Sequence, residues 1–268
     1  MNSNISQSIE VPGDVRELLD SEAQRINSPA FIDADPVQFP RRYSSLPDIE
    51  IAALLSATIA WGNRTMICRD CDRMLSMMDS SPYAYVMDEA YETLDPDRNI
   101  HRTFFNRNLQ YYMRGLHSIY KRYASLADWA RDHKVHDTEA PAWEFTRHLL
   151  AALAEANGGA PDSRCLPRNI DKTALKRINM ALRWLVRDDG IVDLGVWSFM
   201  KPSQLFIPLD VHVGNVSRSL GLLTRRQDDR RAVEELTAVM RTLRPEDPAI
   251  YDYALFGIGI ESKNALKP

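Results

Sequence analysis

LFIPLDVHVGNVSRSLGLL, residues 205–223, is the stretch of sequence that most directly decides the fold. Asp210 stands where an N-cap belongs, because its carboxylate can accept hydrogen bonds from the amides two and three residues further on. Val213, Val216 and Leu220 then recur at helical spacing and form an apolar face. Taken alone, the stretch predicts a capped amphipathic helix.

The composition points to a helical protein. The chain has 268 residues, of which 44% are hydrophobic and only 11 are glycine. Straight-chain residues such as Leu, Met, Arg and Glu lose little rotamer freedom in a helix, so we expect an all-α fold. The net charge of -4 gives no global basic bias, and any surface for nucleic acid must therefore be local.

The cysteines and the apolar runs limit the cellular compartments in which we expect the protein. No apolar run approaches the roughly 20 residues that span a bilayer, and residues 1–11 lack the apolar region of a signal peptide. Cys68 and Cys71 are spaced CxxC, which leaves a metal or redox pair as an alternative to incidental thiols, and Cys165 stands alone. Three cysteines cannot hold a four-cysteine iron–sulfur cluster. We expect a cytoplasmic monomer without membrane association, metal or cofactor.

Helical patterns recur along the whole chain, and no strand alternation of any length appears. The predicted helices cover residues 13–26, 47–62, 65–78, 81–90, 104–123, 141–156, 172–187, 211–220, 231–243 and 249–257. Residues 157–168, NGGAPDSRCLPR, concentrate Gly and Pro and predict a loop that crosses between two lobes of a single unit. Residues 1–12 are rich in Asn and Ser, and we expect them to be disordered.

A second stretch, DKTALKRINMALRWLVR at residues 171–187, could also carry chemistry. As a helix it would place Lys176, Arg183 and Arg187 on one stripe, and a solvated cationic face is the ordinary interpretation of such a stripe. The position of Lys176 offers another interpretation. The positive end of the helix, the adjacent Arg177 and partial burial all favour a neutral, nucleophilic amine.

Residues 205–223 resemble the aspartate-bearing segment of the helix-hairpin-helix DNA glycosylases, which include endonuclease III and the 8-oxoguanine glycosylases. That segment has the form P-V-D-x-H-V-x-R-V-x-x-R-L-G-L, and the matching residues here are Pro208, Asp210, His212, Val213, Val216, Arg218, Leu220, Gly221 and Leu222. Leu209 replaces the valine, and Gly214 and Asn215 stand where the family often has a basic residue. The resemblance implies that Asp210 is the catalytic carboxylate. A fixed anion fits this role, because cleavage of a glycosidic bond builds positive charge on the sugar.

The lysine-bearing stretch is similar to the K-T-A-N-V-V-L segment of endonuclease III-like proteins, here K-R-I-N-M-A-L from Lys176. The resemblance implies that this amine attacks the sugar and forms a Schiff base, with Lys172 as the rival nucleophile. The family usually places a glycine-rich L-P-G-V-G hairpin before the lysine, where backbone amides hold a phosphate, whereas residues 166–176 read LPRNIDKTALK. The spacing from Lys176 to Asp210 is also longer than in endonuclease III. Phosphate contacts would then fall to nearby basic side chains: Arg164, Arg168, Lys172 and Arg177.

A third stretch, EIAALLSATIAWGNR at residues 50–64, resembles the LLSAQ-type helix end that opens the DNA-facing loop of the same family. Thr58 replaces the glutamine that fills the hole left by a flipped base. Trp61 could stack on a base or wedge a duplex, with a core position as the alternative. Asn63 and Arg64 could meet base edges or phosphates.

The whole chain also resembles an uncharacterised bacterial family with A-W-G-N-R, K-R-x-N and L-D-x-H-V signatures. The resemblances together imply two helical lobes with a cleft that Lys176 and Asp210 face. They imply a base-excision DNA glycosylase acting on double-stranded DNA with a damaged base, with an AP-lyase step left open. The expected contacts to DNA are Trp61, Asn63, Arg64, Arg168, Lys172, Arg177, Arg183 and His212. The alternatives are a non-catalytic nucleic-acid-binding or scaffold protein and an enzyme acting on RNA or a nucleoside.

Overall fold

The structure is a computed structural model that describes the backbone of residues 10–79 and 81–265 and the side chains as far as residue 260. It is mostly helical, which confirms the predicted all-α class. The helices are α1 (Gly13–Ile26), α2 (Pro29–Ile32), α3 (Leu46–Thr58), α4 (Arg64–Ser76), α5 (Pro82–Met87), α6 (Asn106–Tyr120), α7 (Leu126–Asp132), α8 (Pro141–Glu155), α9 (Lys176–Val186), α10 (Val211–Ser219), α11 (Arg230–Leu243) and α12 (Tyr251–Ala265). The expected disorder near the N-terminus concerns mainly residues 1–9, which lie outside the described residues.

The observed elements differ from the predicted ones in several places, and the short helix α2 was not predicted. Two short strands, β1 (Asn99–His101) and β2 (Phe104–Phe105), form an antiparallel hairpin where no strand was expected. Helix α7 was not predicted. The helix predicted from residue 172 begins only at Lys176, because residues 170–172 form a 3-10 turn and Leu175 takes a left-handed conformation with φ 51°.

Helix α3 is buried almost all round, as its apolar sequence predicts, and it carries a carboxylate into the core. Glu50 is 0% exposed and accepts hydrogen bonds from the backbone amides of Leu126 and Ala127, both 2.8 Å away. Trp197 Nε1 donates to it at 2.8 Å and the Tyr120 hydroxyl at 3.0 Å. Burial raises the pKa of Glu50 to about 7, against the effect of the four donors. The carboxylate thereby fixes the start of α7 against α3 and α6.

The two ends of the chain close on each other. Helix α12 packs against α1 and α10, while the middle of the chain supplies the α3–α9 and α6–α8 contacts. The buried apolar residues of all these helices form one contiguous cluster in the described part of the chain. Among the described residues, no helix has the length and apolar character needed to cross a membrane.

The predicted exposed cationic stripe on α9 does not occur. Arg183 and Arg187 are each 3% exposed and belong to a buried ion network. Asp193 pairs with both, at 3.3 Å from Arg183 Nε and 2.7 Å from Arg187 Nη1. Asp252 accepts from Arg183, and Asp247 lies 2.8 Å from Arg187 Nε. Because a buried guanidinium needs paired carboxylates to replace its water, these acids explain why arginines face the interior here.

Candidate active site

A cavity of about 850 Å³ opens between α9, α10, α12 and the loop that follows α3. Residues from both ends of the chain and from its middle line it, among them Phe31, Trp61, Lys176, Asp210 and Phe256. Its size falls within the usual range of small-molecule sites.

Lys176 and Asp210 meet at the wall of this cavity. Lys176 is the first residue of α9, and Asp210 is the N-cap of α10. Asp210 Oδ1 accepts hydrogen bonds from the amides of His212 at 2.9 Å and Val213 at 3.1 Å. Its other oxygen, Oδ2, lies 3.8 Å from Lys176 Nζ, and the two side chains are 31% and 30% exposed respectively. The pair is therefore open to a ligand rather than sealed in the core.

The rival lysine lies elsewhere. Lys172 is exposed, sits on the 3-10 turn before α9 and lines another cavity of about 440 Å³, which Lys176 and Arg177 also border. Arg168 lines a third cavity of about 640 Å³, with its Nη2 3.4 Å from the carbonyl oxygen of Pro161. Of the two candidate lysines, Lys176 is thus the one that faces Asp210. Arg168 and Lys172, both expected as DNA contacts, do not line the cleft.

Arg177 lines this cavity and contacts Thr58 and Trp61, which lie at and just after the end of α3. Its guanidinium donates to the carbonyl oxygen of Thr58 and lies 5.3 Å from the ring centroid of Trp61. Burial lowers the pKa of Arg177. No carboxylate of the described residues forms an ion pair with Arg177, so no ion pair compensates its charge.

Trp61 and Asn63, in the loop after α3, are held by local contacts. Trp61 packs edge-on against His101, with 4.9 Å between the ring centroids. Asn63 caps α4 by accepting from the amide of Met66 at 3.1 Å. Both Trp61 and Asn63 line the cavity, and Asn63 remains exposed.

Arg64 also lines the cavity, but its charge is already compensated. It pairs with Asp35 at 2.9 Å, and its guanidinium lies 5.0 Å from the ring centroid of Phe31 and 4.6 Å from that of Phe256. This stack builds an aromatic wall, and the sequence alone did not indicate it.

The remaining expected contacts divide between the surface and the interior. His212 is exposed and lines the cavity beside Asp210. Arg183 also reaches the cavity wall, but its position in the ion network makes an exposed DNA contact wrong for this residue. Gly214, a departure from the family pattern, has a steric explanation: a Cβ there would lie 2.6 Å from Asp228 Oδ1 and 2.8 Å from Arg218 Nη1.

Asp252 is another residue of this cavity that was not predicted as a site residue. It lines the cavity, is 7% exposed and pairs with Arg183. Burial raises the pKa of Asp252 to about 6; Arg183 and Lys176 act in the opposite direction, and Asp210 adds to the increase. The sequence did contain one indication of this residue, because Asp252 is the single acidic residue within the apolar run YDYALFGIG, residues 251–259.

No group of three or more metal-ligand side chains occurs among the residues that the structure describes. Within the CxxC pair, Cys71 is buried and Cys68 is half-buried. Burial raises the pKa of both thiols, which disfavours the thiolate needed for metal binding.

Comparison with known proteins gives one match. The sequence profile of a family described as a protein of unknown function, DUF2400, matches residues 35–261. The matched range includes all the residues that line the cleft except Phe31. No curated protein and no solved structure matches the chain.

Proposed function

The chain belongs to the DUF2400 family, and we propose that it is a base-excision DNA glycosylase whose lysine amine also gives it AP-lyase activity. The observation that carries the proposal is the Lys176–Asp210 pair, 3.8 Å apart on the wall of an open cavity. The two residues are 34 positions apart in sequence, and the family resemblance assigned complementary roles to them. Their proximity is what those roles require.

The pair can divide the chemistry between two groups. Asp210 Oδ1 is held by two backbone amides, so its charge has a fixed position, while Oδ2 faces the amine. In the reaction, Lys176 first gives one proton to solvent, and the lone pair of the neutral Nζ then attacks C1′ of the deoxyribose. The bond from C1′ to the base breaks, and the base leaves with the electron pair and takes up a proton. Asp210 stabilises the positive charge that develops on the sugar.

Strand nicking follows from the same covalent intermediate. Nζ loses one proton to solvent, and its lone pair then forms the C1′=N bond as the C1′–O4′ bond breaks and O4′ takes up a proton, which leaves a protonated Schiff base between Lys176 and C1′. Removal of a proton from C2′ by a base then forms the C2′=C3′ bond and breaks the bond from C3′ to oxygen, and the 3′ phosphate leaves with that electron pair. Asp210 Oδ2 is the nearest carboxylate oxygen that can relay protons to and from the amine.

The walls of the cavity suit a planar aromatic ligand. Phe31, Trp61, Tyr253 and Phe256 line it, and Phe31 packs edge-on against Tyr253 with 5.2 Å between centroids. Aromatic side chains commonly hold a nucleobase that has been rotated out of a duplex. We further propose that the helices take the two-lobed helix-hairpin-helix glycosylase arrangement, with the middle of the chain and its two ends on opposite sides of the cleft.

Borohydride trapping tests the covalent step directly. The protein is incubated with duplexes that contain an abasic site or a damaged base such as 8-oxoguanine, and cross-links are then counted on a denaturing gel. We expect a cross-link with the unchanged protein and with Lys172→Ala, and none with Lys176→Ala. Asp210→Asn keeps an oxygen for the N-cap but loses the charge, and we expect it to lower the rate by about 100-fold or more.

Trapping that survives in Lys176→Ala, or no base release from any lesion tested, would contradict the proposal. The second candidate function, a non-catalytic nucleic-acid-binding protein, is favoured by one observation: the two charges already neutralise each other as an ion pair. It predicts binding to the same duplexes without any cross-link.

A further inference from the structure

The hairpin formed by β1 and β2 lies beside two residues that line the cavity, Trp61 and Gly62. Arg102 occupies its tip, with φ 50°, and its side chain lies against the loop after α3: a Cβ on Gly62 would be 2.6 Å from Arg102 Nη1. The carbonyl oxygen of Trp61, the next residue back, accepts a hydrogen bond from His101 Nε2 at 2.9 Å. Both Trp61 and Gly62 line the cavity, so the hairpin and the cleft share one edge.

A buried carboxylate anchors this hairpin and two further arginines. Asp70, with 3% of its side chain exposed, lies 2.7 Å from Nδ1 of His101, whose own side chain is 0% exposed. The same carboxylate accepts from Arg69 Nε at 3.0 Å and Nη2 at 2.9 Å, and Arg73 Nη2 lies 3.3 Å away. Arg73 also donates to the backbone of β1.

The charges of this surface do not balance. We call Arg69, Arg73 and Arg102 the hairpin arginine cluster. The side chains of Arg69 and Arg73 are 65% and 49% exposed, and both share the single carboxylate of Asp70. Arg102 is exposed and has no acidic partner among the described residues. Three guanidinium groups against one carboxylate give a local positive surface on a chain whose net charge is -4.

We propose that the hairpin arginine cluster binds the phosphates of a nucleic-acid strand whose reacting nucleotide enters the cleft. The cluster is a backbone-binding site, and only its coupling to catalysis rests on the proposed function. Guanidinium groups match phosphate oxygens with two parallel hydrogen bonds, and arginine is the residue most suited to this contact.

The anchoring favours a phosphate strand over a flexible acidic protein segment. Asp70 and His101 fix the hairpin and the two α4 arginines relative to Trp61. Groups held in one geometry can meet a backbone whose phosphates are regularly spaced. Side chains that bind phosphates position the strand without reading its sequence, so the contact should be independent of the base in the cleft.

The test is the salt dependence of binding to a fluorescently labelled duplex without a lesion, measured by anisotropy over a range of NaCl concentrations. The variant is Arg69→Gln/Arg102→Asn, in which Asn suits the left-handed backbone of residue 102. The matched control is Lys121→Gln/Arg122→Gln, which removes two exposed charges just beyond the end of α6. Helix α6 starts directly after β2, and its 15 residues span about 22 Å, which places the control charges away from the hairpin.

We expect the slope of log Kd against log salt to fall in magnitude by about 2 in the hairpin variant, because each lost phosphate contact removes about 0.9. The control should keep the slope of the unchanged protein. Equal slopes in both variants, or no duplex binding by the unchanged protein at low salt, would overturn the proposal. Arginine-dependent binding of poly-glutamate but not of DNA would overturn it in favour of an acidic protein partner. Arginine-dependent binding without borohydride trapping would leave this site standing and reject the proposed function alone.

Discussion

At the scale of single residues, Asp252 connects the cleft with the buried arginines of α9. It reaches the cavity wall beside Lys176 and Asp210, and it also pairs with Arg183. Electrostatic effects from Lys176 and Asp210 both reach its carboxylate. A change of charge on Lys176 or Asp210 therefore changes the pKa of Asp252. Asp252 can thus couple the protonation of the cavity residues to the stability of the protein.

This coupling predicts how stability depends on pH. The pKa of Asp252 is about 6 in the folded protein, where burial raises it, and about 3.9 in an unfolded chain. Between these values the folded state binds more protons, so the contribution of Asp252 to stability is greatest below about pH 4, decreases as the pH rises to about 6 and is constant above. The free energy of unfolding of the unchanged protein, relative to that of Asp252→Asn, should fall by about 2 kcal/mol from pH 4 to pH 7.

Urea denaturation of both proteins at several pH values measures this difference. Asp97→Asn is the control, because the side chain of Asp97 is 83% exposed. The difference in free energy of unfolding between the unchanged protein and Asp97→Asn should stay nearly constant over the same pH range. A difference that grows with pH would instead mean that the pairing with Arg183 outweighs the burial of Asp252.

The residues chosen from the sequence differ in where the structure places them, for separate physical reasons. Lys176 and Asp210 were chosen because each stands in a motif that resembles a catalytic segment, and the structure brings the two together at one cavity wall. Arg183 was misassigned because a helical stripe of charge is ordinarily assumed to face solvent. The acids that compensate it, Asp193 and Asp252, lie 10 and 69 residues away, and no local pattern could pair them.

At the scale of elements, the contact between α6 and α8 depends on the absence of a side chain. A Cβ on Gly115 would lie 2.6 Å from Leu153 Cγ and 2.8 Å from its Cα. The second of these atoms belongs to the backbone, so a rotamer change cannot relieve the overlap. The two helices would have to move apart.

Gly115→Ala should therefore lower the free energy of unfolding by about 1–3 kcal/mol, the usual effect of overpacking a core. Gly13→Ala is the matched control, since the same methyl group at the start of α1 would meet nothing within 4 Å. That substitution should be neutral or should stabilise the protein by up to about 1 kcal/mol. Equal effects of the two substitutions in urea denaturation would show that the α6–α8 contact can adapt.

The elements that the sequence predicts well are those with several turns of periodic pattern. Helix α1 runs from Gly13 to Ile26, as predicted, and α8 and α11 begin and end within one residue of the prediction. Helix α7 has seven residues and β2 has two, too few for a period to be visible. Tertiary contacts fix both of them: Glu50 holds the start of α7, and His101 holds the hairpin.

At the scale of the whole molecule, one apolar core spans all the regions around the cleft. The buried residues of the end helices and of the middle helices belong to the same contiguous cluster in the described chain. The chain contains five tryptophans, of which Trp143, Trp184 and Trp197 are fully buried. These indoles report on the tertiary packing of the core, while far-UV circular dichroism reports on all the helices.

We expect urea denaturation curves from tryptophan fluorescence and from circular dichroism to coincide, because no part of the described core is separated from the rest. Coincident midpoints would support a single cooperative unit. An early loss of helical signal at constant fluorescence would contradict it, because the end helices would then unfold independently of the middle.

Composition was sufficient to predict the helical class, and the whole-molecule arrangement was not accessible in the same way. The packing of α12 on α1 joins residues at opposite ends of the chain, and the cavity exists only where these ends meet the middle. Contacts between residues so far apart in sequence cannot be predicted from the pattern of a short segment.

The pairing of α1 with α12 also has a consequence for synthesis on the ribosome. About 225 residues separate the end of α1 from the start of α12, which a ribosome takes roughly ten seconds or more to translate. During that time the apolar face of α1, with Leu19 and Ala23, has no native cover, and a nascent chain in this state is a substrate for chaperones. The cavity is also completed late in synthesis, because α12 supplies five of the residues that line it: Asp252, Tyr253, Phe256, Gly259 and Ile260. A newly made molecule therefore has no complete cavity until α12 has left the ribosome and packed on α1 and α10.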